Sequence, residues 1–170
     1  MVVWGSGGHT TEMLRLIQKL DMARYCPMHF VLASSDTTSE GKITSSHCPC
    51  ADGARWHRVP RSREVKQSYF TSVVTTAYAT LHSCLLVLRV RPQTIVCNGP
   101  GTCVPIVMSA FLLRMAGLGQ PVVVFAESFC RVTSLSVTGK LLYYFADRFV
   151  VQWPQLAAKY PRAEYHGTMI

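Results

Sequence analysis

The stretch VVWGSGGHTTEMLRLIQKL, residues 2–20, decides the fold class of this chain. Its apolar start, residues 2–4, predicts a short strand, and Gly5-Ser6-Gly7-Gly8 predicts a tight turn. Thr10 or Thr11 then caps a helix, whose apolar residues recur at helical spacing to the end of the stretch. A strand, a glycine turn and a helix in this order are typical of a parallel sheet with crossover helices.

The same pattern returns in TIVCNGPGTCVPI, residues 94–106. Thr94 to Cys97 is predicted to be a buried strand, Asn98-Gly99-Pro100-Gly101-Thr102 a turn, and Val104 to Ala116 a helix. Because both glycine turns directly follow strands, a parallel sheet brings them to one rim, at the carboxyl ends of the strands. Ligands of parallel α/β sheets bind at that rim.

The rest of the chain continues the alternation of strands and helices. We expect strands at residues 29–33, 56–59, 122–126 and 148–151, and helices at residues 65–90, with one break, and 135–145. Residues 34–54 are predicted to form a loop region with at most a short helix. The strands are continuous apolar runs, which favours helices on both faces of the sheet. We therefore predict a Rossmann-like α/β domain at residues 1–154 and a C-terminal tail at residues 155–170.

Composition limits the class of protein. The chain has 170 residues, 49% of them apolar, which suits one folded domain and argues against disorder. Its 17 basic and 9 acidic side chains give a net charge of +8, which favours a partner that carries phosphates: nucleic acid, anionic lipid or a phosphorylated substrate. Seven cysteines at irregular spacing, with no signal peptide, favour a reducing, cytosol-facing location.

The first glycine turn carries the sharpest chemical signal. Glycines let the backbone approach a ligand, and the following helix directs free N–H groups and its positive dipole end at the turn, which suits a phosphate or diphosphate. Thr10 stands where the dinucleotide pattern GxGxxG needs glycine, so that ligand is disfavoured. A plain strand-to-helix turn is the alternative. His9 is placed to act as general base or phosphate ligand, and a structural capping role fits equally.

Charged side chains near the rim have open interpretations. Glu127 follows the predicted strand 122–126, where a carboxylate orients or deprotonates a sugar hydroxyl, or caps the chain that follows. Arg58, Arg61 and Arg63 lie in a basic run, which is either a solvated face or a patch for lipid headgroups or a diphosphate.

Two further segments carry weaker signals. Residues 69–90 are strongly apolar and almost long enough to span a bilayer. Interspersed hydroxyl side chains disfavour spanning, so we expect a core helix with an apolar edge that reaches a membrane interface. The run His47-Cys48-Pro49-Cys50 lacks the second pair of ligands that a zinc site needs, so we expect no metal.

Five runs carry a resemblance to a known family: GSGGHTTEMLRLI (5–17), RVPRSREVKQS (58–68), CNGPGTCVPI (97–106), AESFCRVTSLSVTGKLLYYFADRFVVQWP (126–154) and KYPRAEYHG (159–167). Together, in order and over nearly the whole chain, they resemble the asparagine-linked glycosylation protein fourteen family. More distantly, the two glycine turns are similar to the amino-terminal half of the bacterial glycosyltransferase MurG. The resemblance implies the Rossmann-like, acceptor-side half of a GT-B glycosyltransferase.

The resemblance also implies a partner and a reaction. The donor, UDP-N-acetylglucosamine, would be bound by a separate catalytic subunit, asparagine-linked glycosylation protein thirteen, and this chain would hold no cofactor and be inactive alone. The complex would add the second N-acetylglucosamine to dolichyl-diphosphate-N-acetylglucosamine at the cytosolic face of the endoplasmic reticulum membrane, with no nucleic acid involved. A scaffold that only recruits the catalytic subunit is the alternative.

The resemblance and the residues together lead us to expect particular roles for particular side chains. His9 is preferred slightly over Glu127 as the base. Arg58, Arg61 and Arg63 are expected at phosphate or lipid headgroups. The expected partner-binding residues are Trp153, Tyr160, Tyr165 and Ile170. The expected contacts of the acceptor diphosphate are Gly5, Ser6, Gly7, Gly8, Thr10, Asn98, Gly99, Gly101 and Thr102. Members of the family carry an amino-terminal membrane-spanning helix, and because this chain starts within its first strand, we expect an upstream anchor to be missing.

Overall fold

The computed structural model describes residues 1–21, 24–46, 48, 51, 53–62, 69–99 and 101–168. In that part of the chain seven strands form one sheet, in the order β3-β2-β1-β4-β5-β6-β7, and every neighbouring pair is parallel. The strands are β1 (Val2–Val3), β2 (His29–Ala33), β3 (Arg55–Val59), β4 (Thr94–Asn98), β5 (Val122–Ala126), β6 (Arg148–Val150) and β7 (Ala163–Glu164). The predicted α/β fold class is confirmed.

Helices connect the strands and cover the sheet. They are α1 (Gly8–Ile17), α2 (Ser39–Ser45), α3 (Tyr69–Val90), α4 (Cys103–Met115), α5 (Val137–Leu142) and α6 (Pro154–Lys159). Strands β1 to β3 build outward in one direction and β4 to β7 in the other. Right-handed crossovers therefore place α1 and α2 on one face and the later helices on the opposite face.

Two hydrophobic cores follow from the alternation of side chains along each strand. Val2 and Phe30 point to the face covered by α1 and α2, where they pack with Met13 and other apolar side chains. Their neighbours Val3 and Val31 point to the opposite face, into the core formed with α3 to α6. Both faces of the sheet are thus covered, as the continuous apolar strands predicted.

The first glycine turn is tighter than the sequence indicated. Helix α1 begins at Gly8, so the cap predicted at Thr10 or Thr11 is wrong. The earlier start depends on Gly7, whose φ of +68° is in the left-handed region that favours glycine. The hydroxyl of Thr10 is buried and donates to the carbonyl of Gly5 at 2.7 Å, which closes the turn from within.

Two other boundaries differ from the sequence prediction. The helix predicted with one break is continuous from Tyr69 to Val90, and residues 65–68 lie outside the described part. Residues predicted to form a tail contain α6 and β7, and β7 pairs with β6 through Phe149↔Ala163 and Val150↔Glu164. The sheet therefore continues to Glu164.

Helix α3 has the length and composition of a membrane span between Ser72 and Val90, yet it lies on the domain. It connects β3 to β4, two strands of one sheet, so its two ends are fixed on the same body. Only 17% of the apolar segment is buried. Apolar side chains such as Val74 and Tyr78 face outward, more than half exposed.

Most of the described cysteines are free thiols, and the described residues contain no cluster of metal ligands. Five cysteines are free thiols, and Cys48 is disulfide-bonded. Among the described residues, no group of three or more His, Cys, Asp or Glu side chains is placed to hold a metal ion. Of the weak metal motif, His47, Pro49 and Cys50 lie outside the described residues.

Candidate active site

The two glycine turns meet where the strand order reverses direction. Strands β1 and β4 are neighbours, so the turns that follow them lie side by side at the carboxyl rim. They border a cleft of about 490 Å³. The side chains and glycines that line it come from α1, the second turn, the segment after β5 and the start of α5: Gly8, His9, Glu12, Gly99, Gly101, Glu127, Ser128, Cys130, Arg131, Ser136, Val137 and Thr138.

His9 is held by two acceptors. Its Nδ1 lies 3.1 Å from Oε2 of Glu12 and 3.0 Å from Oδ1 of Asn98. Since both neighbours accept, Nδ1 carries the proton that bonds them. The amide nitrogen of Asn98 donates to the same Glu12 oxygen at 3.0 Å, which closes a three-membered network. The tautomer fixed in this way leaves Nε2 of neutral His9 with a lone pair that can take a proton from a ligand.

Glu12 is the centre of this network. Its second oxygen, Oε1, accepts the hydroxyl of Ser128 at 2.8 Å and the backbone N–H of Phe129 at 3.2 Å. Burial by itself raises the pKa of Glu12, but hydrogen bonds from His9, Asn98 and Ser128 outweigh it and hold this pKa below its ordinary value. Glu12 is therefore a buried carboxylate that joins α1, the end of β4 and the segment after β5.

The pKa of His9 moves in the opposite direction. The hydrogen bond to Glu12 raises the pKa of His9 above its ordinary value, against burial, which lowers it; Asn98 and Glu127 add to the rise. A histidine whose Nδ1 is fixed by two acceptors, and whose Nε2 carries the lone pair, fits a general base.

Glu127 has a different environment. It is fully buried, with Oε1 accepting the N–H of Ser128 at 3.0 Å and Oε2 accepting the N–H and hydroxyl of Ser136 at 3.0 and 3.1 Å. A Cβ on Gly139 would overlap Oε2, so the first turn of α5 approaches this carboxylate as only glycine allows. Glu127 thus holds the segment between β5 and α5 in place, rather than capping the surface.

The second glycine turn touches the histidine directly. Gly99 has φ of +83°, and a Cβ there would come within 2.4 to 2.7 Å of the His9 ring. Gly101 also lies close to Ser62, because a Cβ on Gly101 would come within 2.8 Å of Oγ of Ser62. That hydroxyl donates to the carbonyl of Gly101 at 2.6 Å. Buried Thr102 lies behind the turn, without lining the cleft.

Of the two predicted cations that the structure describes, Arg61 reaches the glycine turn. Arg61 donates from Nη2 to Oγ of Ser6 at 3.1 Å. Arg58 instead pairs with Glu40 and donates to the carbonyl of Asp36 at 2.9 Å, so its guanidinium is occupied beside β2. Arg63 lies outside the described residues. Arg131, which the sequence analysis did not single out, lines the cleft.

Of the predicted partner-binding residues, the three that the structure describes follow β6 and lie on the same half of the domain. Trp153 donates from Nε1 to the carbonyl of Phe129 at 2.7 Å, and the two rings are 5.0 Å apart. Tyr160 packs edge-on against Tyr143, while Tyr165 is 39% exposed. Ile170 lies outside the described residues. Trp153 and Tyr160 therefore have contacts within the domain, and Tyr165 is open to a partner.

Comparison with known proteins assigns a family. The family model described as "Oligosaccharide biosynthesis protein Alg14 like" matches residues 1–169. The UDP-N-acetylglucosamine transferase subunit ALG14 of Mus musculus is 47% identical over 179 residues, covering 100% of this chain and 82% of that protein. The human subunit is 47% identical over 178 residues, with the same coverage, and that of Yarrowia lipolytica is 44% identical over 173 residues, covering 100% and 80%.

A solved structure supports the fold. The crystal structure of Acinetobacter baumannii MurG superposes with a TM-score of 0.63 over 90% of this chain and 40% of that chain. At 16% identity this likeness concerns the fold alone. The similarity to MurG inferred from the glycine turns is confirmed at that level.

Proposed function

We propose that this chain, which belongs to the Alg14 family of oligosaccharide biosynthesis proteins, is the acceptor-binding subunit of a UDP-N-acetylglucosamine transferase. The subunit role is supported by its relatives, which are named as UDP-N-acetylglucosamine transferase subunits. The acceptor is dolichyl-diphosphate-N-acetylglucosamine, and the product carries a second N-acetylglucosamine. The observation that supports a part in the chemistry is the network of His9, Glu12 and Asn98 inside a cleft at the rim.

The cleft offers a place for the acceptor diphosphate. The first turn of α1 has backbone N–H groups without helical partners, and its dipole is positive at Gly8. The guanidinium of Arg61 lies beside the same turn, and Arg131 lines the cleft. Together they provide positive charge and donors for a diphosphate without a metal ion bound by this chain.

His9 is proposed as the general base. Nε2 takes the proton of the acceptor sugar hydroxyl while that oxygen bonds to the anomeric carbon of the donor sugar. The bond from that carbon to the diphosphate of UDP breaks, and UDP leaves on the partner subunit. The imidazolium formed is stabilised by Glu12, which already bonds Nδ1. Glu127 positions the neighbouring segment, since both of its oxygens are occupied.

Attachment to the partner and to the membrane completes the proposal. A separate subunit, like asparagine-linked glycosylation protein thirteen, binds UDP-N-acetylglucosamine across the rim. The outward apolar side chains of α3, such as Val74 and Tyr78, and the net charge of +8 suit the cytosolic surface of the endoplasmic reticulum membrane.

We expect removal of residues 165–170 to abolish co-purification with the donor-binding subunit, since Tyr165 is exposed beyond the last strand. The deletion begins after Glu164 and so keeps β7 in the sheet. Pull-down from cells that express both chains measures this, with circular dichroism to check folding. Unchanged recovery of the partner with a folded deletion variant places the docking site elsewhere.

A scaffold that only recruits the partner makes a different prediction from an acceptor-binding subunit, and Gly99→Ala separates them. The new Cβ displaces the His9 ring, so we expect turnover of the assembled complex to fall about a hundredfold. The matched control is Gly117→Ala, which has a similar positive φ of +69° and no heavy atom near its Cβ. Activity is measured on a phytanyl-diphosphate acceptor. A scaffold keeps full activity in both variants as long as the partner binds.

A further inference from the structure

A groove runs between α3 and α4, outside the cleft. Its volume is about 580 Å³, within the range of ligand pockets. It is lined by Ser72, Val73, Thr76, Ala77, Thr80, Leu81, Cys84, Met108 and Leu112. Its lining shares no residue with the lining of the cleft.

The groove offers an apolar surface although hydroxyl side chains line it. Thr80 donates to the carbonyl of Thr76 at 2.8 Å, and Thr76 donates to that of Ser62 at 3.1 Å, so both hydroxyls are satisfied by backbone. The methyl groups of the two threonines, together with the side chains of Ala77 and Leu81, are available to contact a ligand. Residues 72–88 contain no Asp, Glu, Lys or Arg. A polar ligand would lose hydrogen bonds here, and a hydrocarbon would not.

One end of the groove adjoins the proposed diphosphate site. The Ser62 carbonyl accepts hydroxyls from Thr75 and Thr76, at the start of α3, at 2.7 and 3.1 Å. The Ser62 hydroxyl donates to the Gly101 carbonyl, in the second glycine turn, at 2.6 Å. A single residue therefore joins the mouth of the groove to the wall of the cleft. A molecule with an anionic head and an apolar chain matches this sequence of surfaces.

We propose that the α3–α4 groove binds the part of the acceptor's isoprenoid chain nearest the diphosphate. This inference rests on the proposed function and specifies its substrate, because recognition then includes the lipid as well as the sugar diphosphate. The occupant is the acceptor's own chain rather than a bilayer lipid, since the groove leads from the cleft. The outer face of α3, with Val74 at 72% exposure, is left for the bilayer.

Two acceptors and two variants test this in detergent micelles, with the complex of this chain and its donor-binding subunit. The acceptors are N-acetylglucosamine diphosphates with a phytanyl chain or with a butyl chain, which ends before the groove. Ala77→Trp fills the groove, and Val74→Trp, on the same helix but not lining it, is the matched control. Ala77 is exposed, so its replacement leaves the core intact.

The expected result is a difference between the acceptors. The wild-type KM is lower for the phytanyl than for the butyl acceptor, and Ala77→Trp raises the phytanyl KM about tenfold while leaving the butyl KM unchanged. Val74→Trp changes neither. A diazirine on the second isoprene unit, which extends beyond the length of the butyl chain, is expected to cross-link to peptides that contain residues 72–84 or 103–115 of the wild-type complex.

Other outcomes overturn the inference separately from the proposed function. Equal KM values for both acceptors, or an unchanged ratio in Ala77→Trp, exclude the groove as a chain site. If Ala77→Trp and Val74→Trp both strengthen binding to phosphatidylcholine–phosphatidylserine vesicles and leave that ratio unchanged, the groove contacts the bilayer instead. No turnover of either acceptor by the wild-type complex overturns the proposed function, and the inference with it.

Discussion

Replacement of His9 by Ala is expected to lower kcat of the assembled complex by about a hundredfold to ten-thousandfold, the usual contribution of a general base. The reason is that Nε2 of His9 takes the proton from the acceptor hydroxyl, and the carboxylates described in the cleft lining are occupied by other donors. Glu12 and Glu127, two carboxylates that line the same cleft, keep donors on both of their oxygens without His9: Asn98 and Ser128 donate to Glu12, and Ser128 and Ser136 donate to Glu127. Binding of the partner should not change.

The matched control is His82→Ala, which removes a histidine that is exposed on α3 and remote from the cleft lining. It should keep wild-type turnover. Co-purification and thermal melting of both variants verify assembly and folding. Full activity of His9→Ala in an intact complex would remove His9 as the base and leave the proton acceptor to the partner subunit.

Glu12→Gln is expected to change the pH profile as well as the rate. Because Glu12 raises the pKa of His9, its neutral replacement lowers that pKa. The base works in its deprotonated form, so the rate rises as pH increases through the His9 pKa. In Glu12→Gln the acidic limb of kcat therefore moves to lower pH. We expect kcat at the optimum to fall about tenfold or more, since the imidazolium loses its carboxylate partner.

The pH profile distinguishes positioning from simple structural support. A variant that only weakens packing loses activity without moving the acidic limb. Ser128→Ala is a suitable comparison, because it removes one donor to Glu12 but leaves the carboxylate beside His9. The acidic limb of kcat in Ser128→Ala should therefore lie at the same pH as in the wild type. An unmoved limb in folded Glu12→Gln would show that Glu12 does not set the protonation of His9.

Much of the fold could be predicted from local pattern. Continuous apolar runs identified the strands, and the two glycine turns indicated where the rim lies. The predicted start of α1 was wrong because the rule for helix N-caps favours hydroxyl side chains, and Thr10 and Thr11 carry them. The hydroxyl of Thr10 is instead buried against Gly5, and Gly7 allows an earlier start. The last strand was missed because two residues, Ala163 and Glu164, give no alternation to detect.

The candidate site was only partly visible in the sequence. Both turns and His9 were singled out, yet Glu12 received no role. The spacing of His9 and Glu12, three residues apart on a helix, was a usable signal. The partners that make Glu12 the centre are Asn98 and Ser128, separated from it by 86 and 116 residues. Such contacts depend on strand order, which no local pattern contains.

Acceptor binding by this chain is tested most directly by equilibrium binding of a phytanyl-diphosphate-N-acetylglucosamine to the complex without UDP-N-acetylglucosamine. Calorimetry in detergent should show saturable binding to the wild type and to Gly117→Ala. We expect binding weakened about tenfold or more in Gly99→Ala, where the turn and His9 are displaced, and none to the donor-binding subunit alone. Equal affinity of all three complexes, or full affinity of the donor-binding subunit by itself, would contradict the account.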